Sequence, residues 1–177
     1  MAEPTRVEAW DLVCEWIESD SLQKHVLGVE AAMRAYAQRD GDDEEKWAVT
    51  GLVHDLDYER YPDPDTGHPR YALKELEARD YPPDVIGAVA GHAEYLGVHE
   101  LSGFIAACSR VRPTGLEGMK PKSVRKKLKQ PSFAAKVDRE QIARGIEELG
   151  VDEGEHIQLI IDAMAQNAAE LGLAAQQ

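Results

Sequence analysis

In the stretch Thr50-Gly51-Leu52-Val53-His54-Asp55-Leu56-Asp57, an imidazole and two carboxylates follow a run of small and apolar residues. Acidic residues at 42 and 43 suit the first turn of a helix, so a helix is predicted from there to Val53. Residues 56–69 contain three prolines and a glycine, which predicts a loop. His54 and Asp55 therefore stand together at the end of a buried helix, and such side chains bind Zn, Mn, Fe or Co.

Apolar residues recur every three or four positions on both sides of this stretch, which is typical of amphipathic helices. Toward the N-terminus the repeat runs through Val7, Trp10, Cys14 and Ile17, and then through Leu22, Val26, Val29, Met33 and Tyr36. Further helices are predicted after Pro69, after Pro83, over 100–111, from about 121, over 138–149 and over 152–171. Since no segment alternates in the manner of a strand, the predicted class is all-α, a compact helical bundle with additional C-terminal helices.

The chain has 177 residues, of which 43% are hydrophobic and 30% charged, enough to bury a core. We expect a helical core over residues 1–112 and a C-terminal helical extension over 113–177 packed on the same unit. No apolar run approaches the roughly 20 residues that a bilayer span needs. The first residues also lack the basic and apolar stretches of a secretory signal, so we expect a cytoplasmic protein without membrane contact.

The charge balance separates one short segment from the rest of the chain. Lys and Arg number 20 against 33 Asp and Glu, which gives a formal net charge of −13 and makes polymeric nucleic acid a poor partner. Yet six cations and no acid lie between Lys120 and Lys129. This basic segment is either a local contact for a phosphate group or the solvated face of a helix.

Five of the six histidines fall within 75 residues, at His25, His54, His68, His92 and His99. Taken singly, each is readily explained as a core or surface residue. His25 lies beside the apolar face of its helix, where an imidazole is costly unless its nitrogens are engaged. None of the histidines forms a local pair of the His-Glu-x-x-His type, so only the fold can bring them together.

In this order the residues resemble the HD superfamily of metal-dependent phosphohydrolases. Its hallmark is a His on one helix, a His-Asp doublet at the end of a later helix, and a further Asp. His25 matches the first position and His54-Asp55 the doublet, while His68 and His92 fall where members with a larger site carry two more histidines. The resemblance spans about residues 22–103 and implies that the core over residues 1–112 is an HD-type metal-binding core.

One position departs from that pattern. Related sequences are expected to read Val-Asp-Glu-Leu at the last ligand, whereas this chain reads Val98-His99-Glu100-Leu101. The connection from His92 is also shorter than expected. Three outcomes stay open: His99 binds the metal through a ring nitrogen, Glu100 replaces it, or the site is impaired.

The resemblance implies hydrolysis of a phosphate ester of a small molecule, with nucleotides among the candidates. The implied cofactor is a divalent ion, one or two per chain, drawn from Mn, Fe, Co, Ni, Mg and Zn. The metal ligands would be His25, His54, Asp55, His68, His92 and His99. The catalytic residues would be Asp55, His68 and His92, and the substrate-binding residues Arg112, Lys122 and Arg125.

Two other functions remain compatible with the sequence. The change at position 99 favours a catalytically impaired HD-type module that binds or regulates, and the acidic C-terminal helices allow a helical interaction protein without metal. If a second ion is absent, His68 and His92 become phosphate contacts or proton donors. A small phosphorylated substrate is the expected partner, and self-association into a homo-oligomer stays open.

Overall fold

A computed structural model describes residues 3–63, 65–91 and 96–175, with the backbone alone described over 96–99. Within these ranges every regular element is a helix, which confirms the all-α class. The helices are α1 (Arg6–Trp16), α2 (Asp20–Asp40), α3 (Glu44–Val53), α4 (Arg70–Ala78), α5 (Pro83–Ala90), α6 (Leu96–Arg110), α7 (Pro121–Leu128), α8 (Arg139–Leu149) and α9 (Glu153–Gln166). None of the described helices is long and apolar enough to cross a bilayer.

Side chains at the helix starts explain why the helices begin where they do. Thr5 and Glu8 form a reciprocal capping box at the start of α1. Asp43, Asp138 and Asp152 precede α3, α8 and α9, and each accepts two backbone N–H groups of the following first turn. These local bonds account for the agreement between the predicted and observed helix starts.

The chain divides into two compact units, Met1–Ala93 and Glu94–Gln177. In the first unit α3 packs against α1, α2 and α5, and α4 packs against α5. The second unit is built on α6, which packs against α7, α8 and α9. The extent of the metal-binding core, predicted as 1–112, stays a prediction.

Two details of the helix predictions are wrong. The apolar stripe predicted for α1 includes Val7 and Cys14, yet both are exposed, while Ala9, Leu12 and Val13 are buried. The last helix ends at Gln166 rather than near residue 171, and turns follow it. Leu171 and Leu173 are buried in those turns, so the apolar residues there indicate burial without helix formation.

Candidate metal centre

Close packing of α2 on α3 positions the first two candidate ligands. His25 lies in the second turn of α2, and His54 directly follows α3 as its C-terminal cap. A Cβ placed on Gly51 would lie 2.9 Å from the Cα of Glu30 in α2, a separation that real Cβ atoms essentially never show. The glycine therefore lets the two helix backbones approach one another, one turn of helix away from His54.

The backbone of α3 orients the His54 ring. Nδ1 lies 2.7 Å from the carbonyl oxygen of Gly51. Because a carbonyl oxygen only accepts, Nδ1 is protonated and donates this hydrogen bond. Nε2 then faces the carboxylate of Asp55, 3.2 Å from Oδ2. Both side chains are almost fully buried, at 6% exposure each.

His25 completes a cluster of three ligand types. Its Nε2 lies 3.6 Å from the same Asp55 Oδ2, and its ring centroid lies 5.6 Å from that of His54. One ligand atom from each of His25, His54 and Asp55 falls within 4.8 Å of the others. Two atoms that each bind an ion at about 2.0 to 2.2 Å stand roughly 3 to 3.5 Å apart, so the donor set and its spacing fit a divalent cation.

His68 approaches the other oxygen of Asp55. Its Nε2 lies 3.5 Å from Asp55 Oδ1, while its Nδ1 lies 2.6 Å from Oδ1 of Asp57. His68 comes from the loop between α3 and α4, and its backbone N–H donates to the carbonyl of Tyr61 at 2.7 Å. Asp55 thus directs Oδ2 toward His25 and His54, and Oδ1 toward His68.

Asp57 is fully buried beneath His68, and its carboxylate contacts three hydrogen-bond donors in the described structure. Besides the His68 contact, its Oδ2 accepts the backbone N–H groups of Tyr71 and Ala72 at 2.9 Å each, in the first turn of α4. Burial by itself would raise the pKa of this carboxyl. The hydrogen bonds from His68, Ala72 and Tyr71 outweigh burial and hold the pKa of Asp57 below its usual value, so the group is a carboxylate.

Other loop contacts hold this segment against the helices. A Cβ on Gly67 would collide with the carbonyl oxygen of Tyr61, so the residue before His68 has room for glycine alone. Glu59 Oε2 accepts the N–H groups of Glu18 and Ser19, at 3.0 and 3.1 Å, where α1 passes into α2. Glu59 therefore joins the loop to the helix that carries His25.

Three partly exposed tyrosines lie close to His68 in sequence or in space. Tyr58 meets the His68 ring edge to face at 5.4 Å and is 46% exposed. Tyr61 and Tyr71 stack on each other at 3.9 Å. The stacking role of Tyr71 was not predicted, since nothing in the local sequence connects it to the loop tyrosines.

Some predicted site residues lie beyond what the structure describes. His92 falls outside the described residues, and so does the side chain of His99, although the backbone at 99 belongs to α6. Glu100 is described, and its Oε2 accepts the backbone N–H of Asp138 at 3.3 Å. Of the six predicted ligands, four are therefore placed, and the structure brings those four together.

The predicted substrate-binding cations lie in the second unit. The Arg112 guanidinium donates to the carbonyls of Gly115 and Glu117, and Arg125 pairs with Glu153 at 2.6 Å. Lys122 is exposed on α7. Their contact with substrate stays a prediction.

The described helices thus bring imidazoles and a carboxylate from separate elements into a cluster that could hold a divalent ion. The model of the HD domain matches residues 22–129, and the chain belongs to this family, within the HD metal-dependent phosphohydrolase superfamily. Searches among curated proteins and among solved structures returned no match. The predicted family is therefore confirmed, and the family relationship supports divalent metal binding at the His25, His54 and Asp55 cluster.

Proposed function

We propose that this chain is a metal-dependent phosphohydrolase that cleaves the phosphate ester of a small molecule. The observation that carries the proposal is the cluster of His25, His54 and Asp55, whose ligand atoms lie within 4.8 Å of one another. Membership of the HD domain family supports the reaction class. The reaction forms a bond from water oxygen to phosphorus and breaks the bond from phosphorus to the ester oxygen, which leaves as an alcohol after taking a proton.

The chain's own residues hold and orient the reacting groups. When bound, a divalent ion supplies polarisation of a phosphoryl oxygen and lowers the pKa of a water molecule toward neutrality. His25 and His54 offer Nε2 on one side of Asp55, and His68 offers Nε2 on the other side. We assign Asp55 as the carboxylate shared by these imidazoles, with His92 and His99 as further ligands.

The tyrosines near His68 support a substrate that carries a flat ring. Tyr58 exposes nearly half of its surface beside His68, and the Tyr61 and Tyr71 pair presents further aromatic surface. Aromatic side chains bind planar groups through stacked or edge-on contacts. Nucleotides are therefore the first substrates to test, and Lys122 is the first cation to test as a phosphate contact.

A metal and substrate screen tests the proposal directly. Protein loaded in turn with Mn, Fe, Co, Ni, Mg or Zn is incubated with an aryl phosphate and a nucleotide panel, and phosphate release is measured. We expect turnover in wild type and loss of at least about a hundredfold in Asp55→Ala. Asp63→Ala is the matched control, because Asp63 caps a turn of the same loop through Asp65 and Thr66. No release above Asp55→Ala with any metal would refute the proposal.

A second candidate function is a binding module that retains the metal cluster without turnover. The replacement of the expected Asp by His99 favours it. This module would bind a divalent ion and a phosphorylated ligand, and phosphate release would appear or rise when His99→Asp restores the expected carboxylate. Wild-type turnover that His99→Asp leaves unchanged or lowers would exclude this second candidate.

A further inference from the structure

We propose that Asp57 is a positioning residue that holds His68 as the tautomer with a proton on Nδ1. His68 Nε2 then offers a lone pair toward Asp55 and serves as a cation ligand, not as a proton donor. The inference rests on the proposed function only in that the Asp55 cluster takes a divalent ion. It also distinguishes metal ligation from proton donation, two of the roles that the sequence left open for His68.

The geometry around His68 favours a proton on Nδ1. Nδ1 lies 2.6 Å from Asp57 Oδ1, which is a short hydrogen bond, and a carboxylate can only accept. In the neutral ring with its proton held there, Nε2, which lies 3.5 Å from Asp55 Oδ1, is the unprotonated nitrogen. His54 has the same arrangement, with Nδ1 donating to Gly51 and Nε2 facing Asp55. Two imidazoles on different elements therefore present the same nitrogen to one carboxylate.

The second oxygen of Asp57 explains why this position needs a carboxylate. Oδ2 accepts from Tyr71 N and Ala72 N, so both oxygens face donors. An asparagine has one acceptor oxygen and one donor amide. If its oxygen stays on the α4 N–H groups, its NH2 faces His68 Nδ1, and the ring has to move its proton to Nε2.

Asp57 is also well placed to keep the loop and α4 in register with the site. The first-turn N–H groups of α4 carry the positive end of the helix dipole, which stabilises a buried carboxylate. If Asp57 only supported α4 through these contacts, its replacement would leave the His68 tautomer unchanged. The tautomer is therefore the readout that distinguishes positioning from simple support.

Long-range ¹H–¹⁵N NMR of the histidine rings in metal-free full-length protein tests the proposal. We expect the His68 ring to carry its proton on Nδ1 in wild type and on Nε2 in Asp57→Asn. The spectrum of His68→Gln assigns the signals of this ring. Asp63→Asn changes a carboxylate of the same loop that accepts from the backbone N–H groups of Asp65 and Thr66, and it should leave the His68 tautomer as in wild type. If His68 in the wild-type protein is protonated on Nε2, the proposal is wrong. This result needs no variant, so the proposal can be tested even if Asp57→Asn folds poorly.

Metal affinity provides the second arm of the experiment. Competition with a chromogenic chelator should show Zn²⁺ or Mn²⁺ binding about 10- to 100-fold weaker in Asp57→Asn than in Asp63→Asn, which is the usual cost of losing a partner of a liganding imidazole. Equal affinities in the two variants would overturn the inference. The proposed function can fail independently of this inference. In that case the wild-type protein binds the ion and shows the Asp57-dependent tautomer but releases no phosphate.

Discussion

Gly51 in α3 lies directly against the backbone of Glu30 in α2, so that an added Cβ would stand 2.9 Å from the Glu30 Cα and 3.0 Å from its nitrogen. If these two helix backbones moved apart, the histidines that they carry would move apart as well. His54 follows three residues after Gly51, and His25 precedes Glu30 by five residues. The contact therefore sets the spacing between the two imidazoles that face Asp55.

Replacing Gly51 with alanine should lower the free energy of unfolding by about 1 to 3 kcal/mol, because the methyl group has to displace the α2 backbone. Urea denaturation measures the loss. Gly87→Ala is the matched control: it lies inside α5, a Cβ there meets nothing within 4 Å, and it should be neutral or stabilising by up to about 1 kcal/mol. A Gly51→Ala protein as stable as Gly87→Ala would contradict the close approach.

Adding a divalent ion should raise the thermal midpoint of wild type, because a ligand that binds the folded state stabilises it by about 2.7 kcal/mol at a hundred times its Kd. His25→Gln removes one of the three clustered ligands and should abolish most of this rise. Scanning calorimetry with and without a chelator measures it. Lys24→Gln, next to His25 in α2 and paired with Asp20, should keep the full rise. An equal rise in both variants would place the ion elsewhere.

Arg6→Met should destabilise the first unit by about 1 to 3 kcal/mol. Glu30 is buried at 6% exposure and accepts two hydrogen bonds from Arg6 at 3.0 Å, so the variant removes two partners of this carboxylate and keeps the contact with Arg34. Chemical denaturation provides the measurement. The control is Arg79→Met, which should cost no more than about 1 kcal/mol, because Arg79 is an exposed residue at the end of α4 that pairs with Glu75 and Glu15. Equal losses would show that burial of Glu30 adds nothing to the Arg6 contact.

Of the two thiols, only Cys14 should react quickly with a disulfide reagent in the native protein. Burial raises the pKa of Cys108 to about 11, so little thiolate forms near pH 8, and the side chain is also covered in α6. Cys14 is exposed, although burial of part of its side chain and the nearby Asp11 raise its pKa too. Cys14→Ser should remove the fast native reaction and Cys108→Ser should preserve it. Two fast thiols in native wild type would show that the second unit opens around α6.

Much of the helical architecture follows from local chemistry. The caps at Asp43, Asp138 and Asp152 and the glycines at 41 and 150 lie within a few residues of the groups they satisfy, so they are visible in the sequence. The choice of buried face on α1 was not predictable in this way. Two apolar stripes run along that helix, and packing against α3 buries the one with Ala9, Leu12 and Val13.

The sequence by itself determined the helical class, the family, and the placing of His54 and Asp55 at a helix end, since these depend on periodicity, caps and the order of motifs. Tertiary structure alone decided that His25 and His68 reach opposite oxygens of Asp55, and that Asp57 lies beneath His68. The physical reason is distance along the chain. Such contacts depend on how closely α2 and α3 pack and on how the loop closes at Gly67, and no local pattern of residues encodes those distances.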